Sequence, residues 1–97
     1  MIRFKLDTAE SEAVERAFYE AQSFEAIVSI LARELKEGGN AETTNVLTYY
    51  ADRCRCSQMR RKMAQDKVLA LHGLNIPGRR YRFDFTREEV VLDETEA

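Results

Sequence analysis

Two cysteines and one histidine are the residues of this sequence best suited to metal binding or nucleophilic chemistry. Cys54 and Cys56 are separated by one residue, and His72 follows on the same predicted helix. Each helical residue turns about 100°, so two side chains in this spacing point about 200° apart. Tetrahedral zinc needs four converging ligands, which commonly come from C-x-x-C units. We therefore predict no metal site and no disulfide between the cysteines.

No other pattern in the sequence indicates an enzyme. No serine or cysteine lies near His72 in the sequence, and the glycines lie singly or paired in predicted turns rather than in a phosphate-binding loop. Acidic residues are spread along helix faces, and none has an apolar setting that would raise its pKa for acid–base chemistry. We predict no catalytic residue, no cofactor and no small-molecule substrate.

The charge of the chain is strongly segregated along the sequence. Residues 1–48 hold nine acids and five bases (net −4), residues 49–82 hold nine bases and two acids (net +7), and residues 83–97 hold six acids and one base (net −5). These values sum to the overall −2. The sequence shows no signal-peptide pattern, no stretch long enough to cross a bilayer and no disulfide framework. A cytoplasmic protein without a membrane partner is predicted.

Two long helices are predicted in the middle of the chain. Residues 8–37 contain no proline or glycine, and Asp7 with Glu10 gives the spacing of a capping box at the start. The run Gly38-Gly39-Asn40 ends this helix, and Asn40 can cap a second helix over residues 41–72.

The first helix carries a heptad-like apolar seam. Its members recur every seven residues or fall midway between, as Val14, Ala17, Ala21, Phe24, Val28, Leu31 and Leu35. Phe24 lies in the middle of the seam and is predicted to be fully buried.

Short strands are predicted at both ends of the chain. Apolar and charged residues alternate over residues 2–6 and 80–86, and a third strand over 89–93 contains Val90-Val91-Leu92. Residues 94–97 are predicted to be a frayed acidic tail. The predicted fold is α+β and mostly α, a single domain over residues 1–97 in the order β-α-α-β-β. A long antiparallel helical hairpin carries a small antiparallel sheet made by the N-terminal strand and the C-terminal hairpin.

A second apolar stripe on the first helix is the first candidate functional feature. Tyr19, Ala26, Ile27 and Ile30, with Ser23 between them, lie roughly opposite the seam. A helix that is apolar on two opposite faces must be covered twice. Either the domain's own second helix or sheet reaches this stripe, or it forms an interface with a partner or a second copy.

A row of basic residues on the second helix is the other candidate feature. Arg53, Arg60 and Lys67 recur every seven residues, interleaved with Tyr49, Cys56 and Met63, and Arg79, Arg80 and Arg82 follow the helix. Such a row could follow phosphates with tyrosines for stacking. It could equally be neutralised by acids of the first helix, such as Glu20, Glu25 and Glu34.

The leading hypothesis is a non-catalytic protein–protein interaction module: an adaptor, an accessory subunit or a phage-type inhibitor of a larger protein. Its predicted contacts, with a protein partner or in a homodimer, use Tyr19, Ile27, Ile30, Tyr49 and Met63. The alternative is a small nucleic-acid-binding accessory protein that uses Arg53, Arg60, Lys67, Arg79, Arg80 and Arg82. The overall acidity of the chain favours the first hypothesis.

Overall fold

The computed structural model describes residues 2–93, and the predicted acidic tail (residues 94–97) lies outside them. The elements follow the predicted order and confirm the mostly α, α+β fold. They are β1 (Ile2–Lys5), α1 (Thr8–Lys36), α2 (Ala41–Leu71), β2 (Tyr81–Asp84) and β3 (Glu89–Leu92). Each observed bound lies within about two residues of the predicted one.

Local hydrogen bonds explain where α1 begins and α2 begins. The Asp7 backbone N–H donates to Glu10 Oε1 at 3.1 Å, which is the reach-back contact of a capping box. At the second helix, Asn40 Oδ1 accepts from the Thr43 backbone N–H at 3.1 Å and satisfies one of the first-turn donors.

The end of α2 is a Schellman motif. Gly73 has a φ of +68°, the left-handed conformation that favours glycine. The Leu74 N–H donates to the Leu69 carbonyl at 2.8 Å, and the Gly73 N–H donates to the Ala70 carbonyl at 3.2 Å. These two hydrogen bonds end the helix before the chain continues to β2 and β3.

The sheet is antiparallel, with the last strand in the centre in the order β1-β3-β2. Phe4 and Phe83 both align with Val90, so these three side chains form one row across the sheet. Strand β2 ends before Phe85, which was predicted as part of the strand. Phe85 instead lies in the turn that contains Glu88 at φ +55° and packs against the core.

The chain forms two compact units, and each has a different core. The first unit, whose described residues are 2–16 and 63–93, contains a fully developed apolar cluster. Its buried members are Leu6, Val14, Val68, Leu69, Val90 and Leu92. Val91 is also buried, on the opposite face of the sheet because successive strand residues alternate.

The second unit, Ala17–Lys62, is an antiparallel pair of helical segments with very little fully buried surface. Its fully buried residues are Ala21 and Ser57. Phe24 was predicted to be fully buried, and this prediction is wrong: its side chain is only partly covered, with its ring 6.4 Å from that of Tyr50. In a pair of helices, a side chain in the middle of the seam is covered only by the facing helix. Part of each large residue therefore stays in contact with solvent.

Candidate functional site

The apolar stripe on α1 is exposed. Tyr19 and Ile30 keep 52% and 54% of their surface accessible, and Ser23 and Ala26 between them are exposed as well. Tyr19, Ser23, Ala26 and Ile30 follow a 4-3-4 spacing, which keeps them on one side of a helix. We call these four residues the α1 outer face.

Ile27 does not share the exposure of the α1 outer face. Its side chain is partly buried, and its position is turned about 60° from that of Ile30 on the helix. Ile27 therefore lies at the flank of the stripe, towards the seam, rather than at its centre.

The hydroxyl of Ser23 is already satisfied within the helix. Ser23 Oγ donates to the Tyr19 carbonyl at 2.9 Å. A back-bonded serine presents a small surface whose donor needs no further partner. Ser23 and Ala26 thus place two small, exposed side chains between the larger Tyr19 and Ile30.

A second apolar surface lies on α2. Tyr49, Met59 and Met63 are exposed, with the two methionines at 60% and 67%, and the partly buried Cys56 lies between them. Met59 and Met63 are one turn apart and therefore adjacent on the helix surface. We call these four residues the α2 outer face. Tyr49 and Met63 were predicted from the sequence as contact residues and Met59 was not, although its spacing from Met63 could have placed it here.

The basic row on α2 is partly neutralised inside the second unit. Arg60 forms an ion pair with Glu20 of α1, and the Arg53 guanidinium lies over the Tyr49 ring, 5.1 Å from its centroid. Glu25 accepts a hydrogen bond from the Gln58 amide at 2.8 Å rather than pairing with a base. The proposed neutralisation by α1 acids therefore holds for Arg60.

The remaining predicted basic residues lie in the first unit. Lys67 is exposed on α2. Arg79 is partly buried in the loop before β2, while Arg80 and Arg82 are exposed, Arg82 within β2 itself. In the sheet register Arg82 and Arg3 flank Val91 on either side.

The two cysteines and the histidine have different surroundings in the structure. Cys54 and Cys56 are free, partly buried thiols. His72 Nε2 lies 2.8 Å from Glu10 Oε2, and the His72 ring is 4.7 Å from that of Phe4. Within residues 2–93 no group of three or more His, Cys, Asp or Glu side chains is arranged to hold a metal ion.

Glu10 joins the end of α2 to the start of α1. The backbone N–H of Asp7 donates to its carboxylate and lowers its pKa, and the contact with His72 lowers it further. The carboxylate thus acts as a capping group and as a tertiary contact to His72.

This contact predicts a specific dependence of stability on pH. Because the folded-state pKa of Glu10 is depressed, its contribution is complete above its unfolded-state value, about 4.3, and is lost as the pH falls through the lowered folded value. Glu10→Gln should therefore be less stable than wild type at pH 6, and the difference should shrink by pH 3. Urea unfolding at both pH values measures it. The exposed Glu12→Gln is the control, and equal pH responses of the two variants would contradict the assignment.

A small groove lies beside the loop between the helices. Its volume is about 250 Å³, and it is lined by Leu31, Glu34, Asn40, Glu42, Thr43 and Val46. This is below the roughly 300–1,000 Å³ of ordinary ligand pockets.

Comparisons of the chain with protein-family models, with curated proteins and with solved structures find no significant match. Within the described residues, no helix combines the length and the apolar character needed to cross a membrane.

Proposed function

We propose that this chain is a non-catalytic protein–protein interaction module that acts through the outer faces of its two helices. One observation carries the proposal. In the unit Ala17–Lys62 only an alanine and a serine, Ala21 and Ser57, are fully buried, whereas Tyr19, Ile30, Val46, Tyr49 and Met59 are large apolar residues with more than a third of their surface exposed.

Exposed apolar area of this kind has an energetic consequence. Removing apolar surface from water contributes roughly 25 cal/mol per Å², so covering these side chains would add stability that the unit does not obtain from its own sparse core. Soluble monomers rarely leave extended apolar patches open, and such patches mark interaction sites.

The α2 outer face fits a partner protein with an apolar groove. An amphipathic helix lies in such a groove through side chains spaced by three, four and seven residues, and Cys56, Met59 and Met63 have this spacing. Methionine side chains are flexible and polarisable, which suits contact surfaces that must adapt to their partner. An adaptor, an accessory subunit or an inhibitor would use the surface in this way.

The nucleic-acid alternative receives less support. Phosphate binding requires several cations that are free to replace counter-ions. Arg60 is already paired with Glu20, and this ion pair would have to be broken for Arg60 to bind a phosphate. The basic row thus offers fewer available charges than the sequence alone suggested.

Site-directed photo-crosslinking tests the proposed module. A benzoylphenylalanine at position 59, in cells that express the chain naturally, should give an adduct with a distinct protein, because the exposed side chain would lie in the contact. The same group at the exposed Ala51, turned about 80° from Met59 on α2, is the control and should give little or none.

The identified partner must then bind the purified chain through the same face. Met59→Asp combined with Met63→Asp should raise the dissociation constant at least about tenfold, since a charge in an apolar contact loses its water without gaining a counter-ion. Circular dichroism should be unchanged. The proposal fails if position 59 gives no adduct beyond the control, or if the double variant binds as well as wild type.

A further inference from the structure

The α1 outer face has the symmetry of a surface that binds its own copy. Its apolar and small residues are spaced Tyr19, Ser23, Ala26 and Ile30, so the pattern reads large-small-small-large in both directions. The midpoint lies between Ser23 and Ala26. A two-fold axis through that point places Tyr19 of one copy level with Ile30 of the other, and Ser23 level with Ala26.

Charged residues border this face at both ends. Glu15 and Arg33 lie on one edge, and Arg16 and Glu34 lie on the other, as the 100° turn per residue requires. Glu15 and Arg16 precede Tyr19 by four and three residues, so one helical turn fixes their places relative to it. Among the described residues, no ion pair involves any of these four side chains.

An antiparallel pairing of two such helices brings opposite charges together. A two-fold axis perpendicular to both helices places the Glu15–Arg33 edge of one copy against the same edge of the other copy. The Arg16–Glu34 edges of the two copies meet in the same way. Measured from the midpoint, Glu15 of one copy and Arg33 of the other differ by only about 1.5 Å along the helix axis, and the same holds for Arg16 and Glu34. Two-fold symmetry doubles each pair, so four inter-chain ion pairs frame the apolar centre.

We propose that the α1 outer face binds the α1 outer face of a second copy of this chain, with the helices antiparallel and Tyr19 packed against Ile30. This inference rests on the proposed function, which uses the α1 and α2 outer faces, and it identifies a second copy of the chain as the partner of the α1 outer face. The contact spans residues 15–34, about 30 Å of helix. Just beyond each end, Glu12 of one copy lies level with Glu37 of the other, so these like charges limit the contact to this length. An interface one helix wide is small, so the expected dissociation constant is on the order of micromolar.

A parallel pairing is the competing arrangement. It would place the first edge of one helix against the second edge of the other, so that Glu15 would meet Arg16 of the second copy. The antiparallel arrangement is favoured by the opposed helix dipoles. The two arrangements differ in which residue restores binding after a charge reversal, because Glu15 faces Arg33 in one and Arg16 in the other.

Sedimentation of the full chain at concentrations from about one to several hundred micromolar tests the proposal. Wild type should show a reversible monomer–dimer equilibrium. Ile30→Asp should weaken dimerisation by at least about a hundredfold, because the charge would be enclosed in the apolar contact. The neighbouring exposed Ser29→Asp, turned about 100° away, should leave the equilibrium unchanged. Circular dichroism should show that both variants are folded.

The charge-reversal series tests register and direction without altering the apolar centre, and so remains informative if Ile30→Asp unfolds. Glu15→Arg should weaken the dimer about tenfold, Glu15→Arg with Arg33→Glu should restore it, and Glu15→Arg with Arg16→Glu should not. A monomer at every concentration, a dimer insensitive to both Ile30→Asp and Glu15→Arg, or rescue by Arg16→Glu instead of Arg33→Glu would overturn the proposal. A monomeric chain whose position 59 still crosslinks to a distinct partner would overturn only the self-association and leave the interaction module standing.

Discussion

Replacing Leu69 by alanine should lower the free energy of unfolding by about 2–5 kcal/mol. Leu69 is 2% exposed and belongs to the apolar cluster of the first unit, together with Val14 of α1 and Val90 of the central strand. The loss combines the burial of the leucine side chain with a cavity that three different elements would have to close. Alanine keeps the helix propensity high, so the effect reports packing rather than helix formation.

Leu71 supplies a control of the same residue type on the same helix. Its side chain is 66% exposed, so Leu71→Ala should change stability by no more than about 0.5 kcal/mol. Urea unfolding followed by far-UV circular dichroism measures both variants. Similar losses in the two, or a larger loss at Leu71, would show that the inward face of the end of α2 has been assigned wrongly.

The element bounds could be predicted from the sequence because each rests on a local signal. Glu10 reaches back to Asp7, Asn40 caps α2, and Gly73 takes the left-handed conformation. All three interactions join residues close together in the chain. Such short-range chemistry is read directly from the sequence.

The central position of β3 could not be read in the same way. It depends on pairing between residues that lie ninety positions apart in the chain, such as Ile2 with Leu92. The alternating pattern shows which side chains share a face but not which strand lies between the other two. The run Val90-Val91-Leu92 contains the signal in hindsight, because a central strand can be buried on both faces.

The extent of burial in the second unit was also beyond the sequence. Helical periodicity identified the inward direction of Phe24 but not how much of its ring the facing helix would cover. The same limit applies to Met59, whose apolar character would favour burial but whose side chain is exposed. Periodicity fixes an angle around each helix, whereas coverage depends on the partner surface that lies opposite.

Exposure could be predicted for candidate residues whose position around the helix axis alone decides whether they face solvent. Tyr19 and Ile30 lie almost opposite Ala21 on α1 and are exposed. Ile27 is turned towards the flank and is partly buried. The pairing of Arg60 with Glu20 could not be read from the sequence alone, because it depends on which residues of the two helices lie at the same level.

The two fully buried residues of the second unit are both small. Ala21 and Ser57 are both completely buried. The ion pair of Glu20 with Arg60 joins the two helices next to Ala21. The Arg61 guanidinium lies over the Phe18 ring, 4.7 Å from its centroid, about one turn away. A methyl group and a hydroxymethyl group are thus the fully enclosed side chains of this unit.

Ala21→Leu should therefore destabilise the second unit by about 1–3 kcal/mol, because the added carbons have no space and must push α1 away from α2. Leucine and alanine have similar helix propensities, so the cost reports the packing around the fully buried Ala21. Amide hydrogen exchange should show faster exchange on both sides of the replaced residue and in the facing part of α2. Ala32→Leu, at an exposed position of the same helix, should leave exchange nearly unchanged. If Ala21→Leu were neutral or stabilising, the space beside Ala21 would have to be open, and the sparse core of this unit would reflect a gap between the helices rather than tight contact through small side chains.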